Sequence, residues 1–249
     1  ESAGIYGWFE SIRNNYPHWD VYLSNKITDE EYSKGKSFDT LLEGINYKIE
    51  EDLHLAVSLR SFRSENVSAF VKALLDIYTA KDLYKSFKDV YPICLTRDLD
   101  VAKNWVRQKA KGSQRYGLTA SSGAKRLRKY GIWVQNKVDA PNWFLNGKDD
   151  IRSSYFLEET ATEFDIQGLE LDWTILCWDA NLRFNNNHFE FFNFSGTKWQ
   201  NINSEDNILY LKNAYRVLLT RARQGFIIFV PTGDKSDITM QPSFYNGIY

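Results

Sequence analysis

The sequence predicts an α/β fold, a mostly parallel β-sheet flanked by helices. Three observations lead there. Strand-length apolar runs alternate with helix-length amphipathic segments, the order that a parallel sheet with crossover helices requires. Tyr91–Leu95 and Gly225–Val230 are compact apolar runs that read as buried strands. The composition, 43% hydrophobic and 25% charged, is that of an ordinary globular chain long enough for a real core.

Each element has its own signal. Residues 5–13 place apolar side chains at helical spacing, and Pro17 stops that pattern. Trp19–Leu23 alternates as a short strand does. Thr28-Asp-Glu-Glu looks like a helix start, with acids at the positive end of the dipole. Ser33–Ser37 is a polar connector, and 39–51 reads as weakly helical or irregular. Leu53–Leu59 is a predicted strand, Glu65–Tyr78 an amphipathic helix and Leu99–Lys111 a second helix. Tyr116–Ala120 is a short strand and Gly123–Tyr130 a basic helix. Ser154–Leu157 and Trp173–Trp178 are predicted strands. His188–Phe194 alternates polar and aromatic residues, the pattern of a solvent-edge hairpin. Asn207–Arg223 is the last predicted helix and Gly225–Val230 the last strand. Nothing in the first fifty residues closes a core by itself, so they read as the end of a different unit.

Net charge is -1, so any nucleic-acid contact must come from a local patch. The only dense basic region holds Lys109, Lys111, Arg115, Lys125, Arg126, Arg128 and Lys129, beside Tyr116 and Tyr130. It suits a phosphate backbone, or equally a solvated helix face. Cys94 and Cys177 sit inside apolar runs and read as buried free thiols of a reducing compartment, with a disulfide as the alternative. No run approaches the ~20 apolar residues of a membrane span. No signal peptide opens the chain. A cytoplasmic location without membrane contact is therefore expected. His18, His54 and His188 lack metal-ligand spacing to one another or to the cysteines. Asp149-Asp150 and Glu158-Glu159 are adjacent pairs whose side chains diverge on a strand, a poor start for a shared nuclease metal.

Three stretches could carry chemistry. Thr160–Trp178 contains a polar turn with Gly168, then Glu170, then a buried strand. Glycine brings backbone N–H groups close to a phosphate, and a carboxylate two residues on can hold ribose hydroxyls. The same pattern also fits an ordinary loop entering a central strand. Asn213–Gly225 clusters Arg216, Arg221 and Arg223 toward a helix end, where the helix dipole alone favours them. Leu55–Glu65 delivers Arg60 and Arg63 at the end of a strand, the edge where open α/β sheets bind ligands.

Taken in order, these stretches resemble motifs IV, V and VI of superfamily 1 helicases. Leu55–Ser61 is similar to Leu-x-Gln-Asn-Tyr-Arg-Ser at Arg60. Thr162–Glu170 is similar to Thr-x-His-x-x-Lys-Gly-Leu-Glu at Thr162, Gly168, Leu169 and Glu170. Val217–Ala222 is similar to Val-Ala-Leu-Thr-Arg-Ala at Val217, Leu219, Thr220, Arg221 and Ala222. A closer resemblance is to the Schlafen-group-3-type helicase-like family, in Glu163–Trp173 and Asn213–Gly225.

The resemblance implies a RecA-like fold, the second domain of a P-loop NTPase pair. Residues 1–52 would be the tail of the first RecA-like domain and a connector, and 53–249 the second domain. Arg60 and Arg221 would reach the γ-phosphate of ATP as arginine fingers. Gln167 and Gly168 would lie near the same phosphate, and Glu170 would hold the ribose. Thr162 would touch a nucleic-acid phosphate, joined by Lys125, Arg126 and Lys129 of the basic region. Phe164 and Gln167 stand where the helicase family often has His and Lys. No Gly-x-x-x-x-Gly-Lys-Ser/Thr occurs in the chain. The expectation is therefore the C-terminal half of an ATP-dependent nucleic-acid helicase or translocase. Its partners would be DNA or RNA and an N-terminal RecA-like domain. ATP and Mg2+ would be bound mainly by that other domain, and this part alone would not turn over ATP. A non-catalytic nucleic-acid-binding or interaction module on a degenerate helicase fold is the alternative, with a nucleotide-binding regulator as a third reading.

Overall fold

The computed structural model describes residues 4–25, 40, 42–53, 62–77 and 80–249. The chain divides into two compact units, Glu1–Leu59 and Arg60–Tyr249. The first contains helix α1 (Gly4–Asn15) and two strands, β1 (Asp20–Leu23) and β2 (Asn46–Ile49), paired in parallel. β2 falls where the sequence reads as irregular or weakly helical. Phe9, Leu23, Leu42 and Ile45 form a small core of their own. The Arg13 guanidinium donates to the Glu43 carbonyl at 2.7 Å. The strand expected over 53–59 lies outside the described residues except for Leu53, which ends a 3-10 turn.

The second unit is α/β, as expected. Its elements begin with helices α2 (Phe62–Leu75) and α3 (Ala80–Phe87), then strand β3 (Ile93–Thr96) and helix α4 (Leu99–Lys109). Strand β4 (Tyr116–Ala120), the short helix α5 (Ala140–Leu145) and strands β5 (Thr160–Ala161) and β6 (Leu171–Cys177) follow. Next come β7 (Leu182–Asn185), β8 (His188–Ser195) and β9 (Lys198–Asn201), an antiparallel meander. The chain then forms α6 (Glu205–Leu219), β10 (Ala222–Phe229) and α7 (Ser243–Asn246).

Five strands make one all-parallel sheet in the order β3-β10-β6-β4-β5. Its central strands are mostly apolar in their inner residues because each face is covered. On β10, Phe226 and Ile228 join one core with Tyr215 and Leu218 of α6 and Val71 of α2. Ile227 and Phe229 point the other way, into a second core with Ala102 and Val106 of α4. The same alternation runs along β6, with Leu176 in the first core and Ile175 and Cys177 in the second. Each fully buried side chain of this size stabilises the fold by about 1.5–3 kcal/mol. Cys94 and Cys177 are free thiols, the second buried in its core.

Several elements differ from expectation for identifiable reasons. The basic helix over 123–130 is instead a 3-10 turn over Lys125–Tyr130. The Arg126 N–H, which an α-helix would give to a carbonyl four residues back, donates to Asp179. The strand expected over 154–157 is a 3-10 turn over Ser154–Phe156. There the chain winds around the Arg115 guanidinium, which donates to both Ser153 and Ser154 hydroxyls and to the Trp143 and Asn146 carbonyls. The last long helix ends at Leu219, not 223, where the Thr220 hydroxyl donates to the Arg216 carbonyl at 2.8 Å. β10 begins at once, with a register shift between Ala222 and Gly225. A Cβ at Gly225 would lie 2.6 Å from the Pro92 carbonyl oxygen, so only glycine lets the strands close here.

Candidate functional site

Because all five strands run the same way, the residues just before a strand lie at one edge of the sheet and those just after it at the other. The candidate residues separate into two groups on that basis. Gln167, Gly168, Glu170 and Arg221 lie before the first residues of β6 and β10, at the N-terminal edge. Thr162, Lys125, Arg126 and Lys129 lie after the last residues of β5 and β4, at the C-terminal edge. Arg60 is outside the described residues.

At the N-terminal edge, two stretches fifty residues apart in sequence are joined directly. Leu171 pairs with Ala222 across β6 and β10, and the Leu171 N–H donates to the Arg221 carbonyl at 3.0 Å. The Tyr91 hydroxyl donates to the Ala222 carbonyl at 2.7 Å, which pins the same junction from β3's side. Burial, helped by the nearby Glu170 charge, pushes the Tyr91 phenol far above its ordinary range, so it stays a donor. Glu170 faces Arg223, with 3.7 Å between its carboxylate oxygen and Arg223 Nε. Arg223 is therefore a strand residue engaged with Glu170, not a helix residue pointing away. Arg221 sits in the two-residue link between α6 and β10, half-buried. Gln167, Gly168, Leu169 and Glu170 are exposed. Gly168 has φ +86° with open space where a Cβ would project. Its glycine is required by backbone conformation rather than by crowding, and the open space leaves room for a ligand to approach the main chain.

At the C-terminal edge the turn over 163–168 is tied down on both sides. The Thr162 N–H and hydroxyl both donate to the Asp165 carboxylate, at 2.8 and 2.7 Å. Thr162 is buried, so its hydroxyl serves the turn first. The Glu163 carboxylate accepts from the Ser122 N–H at 2.8 Å and from its hydroxyl at 2.7 Å. That pair of bonds joins the turn to the loop following β4. Ile166 is buried in the core below.

The basic region is mostly engaged inside the molecule. Arg126 forms an ion pair with Asp237 at 2.7 Å, and Lys129 with Asp234 at 3.3 Å. Lys125 donates to the Phe194 carbonyl at 3.1 Å. Arg128 lies over the Trp133 ring and Lys109 over the Trp105 ring. Arg115 is consumed by the four acceptors named above and by the Tyr155 ring. The region is thus a set of clamps rather than a free cationic helix face. Asp234 and Asp237 lie more than a hundred residues away in sequence, which is why no local pattern reveals the pairing.

One group at this edge has no precedent in the sequence reading. Asp179, two residues past β6, is fully buried. It accepts from the Arg126 N–H at 2.9 Å, the Ala180 N–H at 2.8 Å and the Tyr245 hydroxyl at 3.1 Å. Desolvation pushes its pKa up to about 6 against the opposing pull of those donors. Asn181 continues the network, donating to the Ser121 hydroxyl and accepting from the Tyr215 hydroxyl. The signal available was an acid directly after a buried central strand. Nearby, the Arg183 guanidinium lies between the Phe192 and Phe244 rings, 3.8 and 3.5 Å from their centres, and burial pulls its pKa down to about 10.

Chemically, the N-terminal edge offers a nucleotide an exposed carboxylate, a glycine turn with open main chain and an arginine. These fit ribose and phosphate oxygens. Among the described residues no cluster of three or more His, Cys, Asp or Glu is placed to hold a metal ion, and no P-loop occurs in the chain.

The family model described as "Schlafen group 3, DNA/RNA helicase domain" matches residues 9–232. No curated protein and no solved structure matches the chain.

Proposed function

This chain belongs to the Schlafen group 3 DNA/RNA helicase domain family, and from that membership we propose that it is the C-terminal RecA-like half of an ATP-driven nucleic-acid helicase or translocase. The observation that carries the reading is the junction at the N-terminal edge. Gly168–Glu170 and Arg221 emerge side by side from adjacent central strands, fastened by the Leu171-to-Arg221 backbone bond. A ligand lying across β6 and β10 there meets all of them together.

In this reading ATP and Mg2+ are held mainly by a P-loop domain, and this chain completes the site. Arg221, fixed by its backbone bond, brings a guanidinium to the phosphate that departs and offsets the charge that develops on it. Glu170 exchanges its contact with Arg223 for the ribose hydroxyls. Gly168 lets the main chain approach the phosphates. The remaining exposure of Lys125, Arg126 and Lys129 meets nucleic acid at the opposite edge, where Thr162, buried and bonded to Asp165, shapes the adjoining turn instead of touching the strand. DNA and RNA are both open as strands.

Arg221 provides the test. In the protein that carries this chain together with a P-loop domain, Arg221→Ala lowers ATP turnover on the order of 10³-fold. Arg221→Lys restores little, because an ammonium lacks the planar fork that meets two oxygens. The thermal midpoint is measured alongside. Wild-type turnover in Arg221→Ala, or loss explained by unfolding, removes the arginine-finger role. ATP turnover that is absent altogether, with nucleic acid still bound, favours the non-catalytic binding module.

A further inference from the structure

We propose that Phe164 is a base-stacking platform for a single strand of nucleic acid at the C-terminal edge of the sheet. The inference rests on the nucleic-acid reading above and adds a contact of a different physical kind. Its basis is the way the turn over 163–168 is built. Glu163 is held by two bonds from Ser122, and Asp165 by two bonds from Thr162. The Asp165 and Ile166 N–H groups both donate to the Thr162 carbonyl, and the Ile166 side chain is buried in the core. The residues on either side of Phe164 are therefore held by their own bonds. Phe164 projects between them, with 64% of its surface exposed.

A single exposed apolar side chain usually needs no explanation. Ile238 and Leu145 are more exposed than Phe164 and carry no proposal. Phe164 differs in two respects. Its backbone is determined from both sides, so the ring is presented with little freedom to lose on binding, which lowers the cost of ordering it. Its turn is also bonded to the loop that leads into the basic segment. Ser122, bonded to the adjacent Glu163, is three residues from Lys125. Lys125 and Arg128 meet no carboxylate among the described residues; they rest on the Phe194 carbonyl and the Trp133 ring. An aromatic face next to unneutralised cations is the pairing that single-strand binding uses. The cations follow the phosphates and the ring takes a base, without regard to sequence because every base has a π-face. A double-stranded partner would keep its bases stacked and unavailable to that ring.

The experiment compares wild type, Phe164→Ala and Phe164→Trp. Each is titrated with an oligo(dT) strand and with a strand of equal length whose sugars carry no bases, over a range of salt. The expected result is a loss of about tenfold in oligo(dT) affinity for Phe164→Ala, within the range for one stacked base. Phe164→Trp retains the affinity. The abasic strand binds Phe164→Ala and wild type alike, and the salt slope is the same in all three, since stacking releases no counterions. The thermal midpoint stays put because the ring is already in water. If Phe164→Ala binds oligo(dT) as wild type does, or loses equally on the abasic strand, stacking is refuted while the nucleic-acid reading stands. If wild type binds neither strand, both fall together.

Discussion

Replacing Asp179 by Asn should abolish a pH dependence of stability that the wild-type fold carries. The Asp179 carboxyl is fully buried and its pKa rises from 3.8 to about 6. Arg126, Tyr245, Tyr215 and Arg183 are the titratable groups around it. A raised carboxyl pKa means the folded state holds a proton that the unfolded chain releases. The stabilisation is fully present below about pH 4 and is lost as pH rises through about 6. The difference between those two values corresponds to about 3 kcal/mol. Stability should therefore fall by about 3 kcal/mol from pH 4 to pH 7 on this group's account, at up to one proton per molecule. Asn cannot ionise, so that slope disappears. It is not otherwise silent. Its amide oxygen can serve the Ala180 N–H and the Tyr245 hydroxyl, but its amide nitrogen then faces the Arg126 N–H, which loses its acceptor at a cost of about 1–3 kcal/mol. The slope, not the stability at one pH, is thus the readout. Urea unfolding followed by tryptophan fluorescence, with Trp178 next in the chain, measures it across pH 4–8. Glu159, whose pKa is also raised by burial, supplies the control Glu159→Gln. If Asp179→Asn keeps the wild-type slope while Glu159→Gln removes it, the buried network is not the source and the reasoning from desolvation is wrong.

Two further outcomes follow from the site. Asp234→Asn with Asp237→Asn releases Lys129 and Arg126 from their ion pairs, so single-strand binding should tighten and its salt slope steepen by about 1.4, as two added phosphate contacts require; an unchanged slope places both cations away from the strand. Gly168→Ala meets no atom but must hold φ +86°, which costs about 1–2 kcal/mol and should lower the thermal midpoint by about 2–8 °C; if the turn belongs to the proposed nucleotide site, ATP affinity should drop as well, and an unaffected affinity removes the turn from that site.

What the sequence made legible follows the range of the forces involved. The central strands were readable because apolar runs report burial residue by residue, and Tyr116–Ala120 appears where the pattern puts it. Where side chains redirect the backbone, local pattern misleads. Arg115 draws four distant acceptors around itself and turns an expected strand into a 3-10 turn. Asp179 takes the Arg126 N–H and prevents an α-helix. Helix α5 did carry readable signals, Asp139 as its cap and Pro141 in its first turn, but six residues are too few for periodicity to speak. The order of the three candidate stretches was visible, yet their division between two edges was not. That division depends on which strands lie side by side and in which direction, a fact of topology rather than of spacing. The basic cluster shows the reverse error. Density along the chain suggested a free patch, and Asp234 and Asp237 neutralise two of its seven cations.

The segment 163–170 explains why contacts for both edges occur in one short stretch of sequence. β5 ends level with the last turns of β6: Ala161 pairs with Thr119, which also pairs with Leu176. The chain must then return to Leu171, at the start of β6, five residues below that level, a descent of about 17 Å at about 3.3 Å per strand residue. It makes the descent pinned rather than loose, with Glu163 on Ser122, Ile166 in the core and the Leu171 N–H on the Arg221 carbonyl. Each pin removes a residue from contact with solvent or fixes its direction. What remains outward is Phe164 near the upper end and Gln167 to Glu170 near the lower. The residues left exposed are those the pinning passes over. They fall into two groups because the path is anchored in its middle, so one short loop can present a ring to one edge and a glycine turn with a carboxylate to the other.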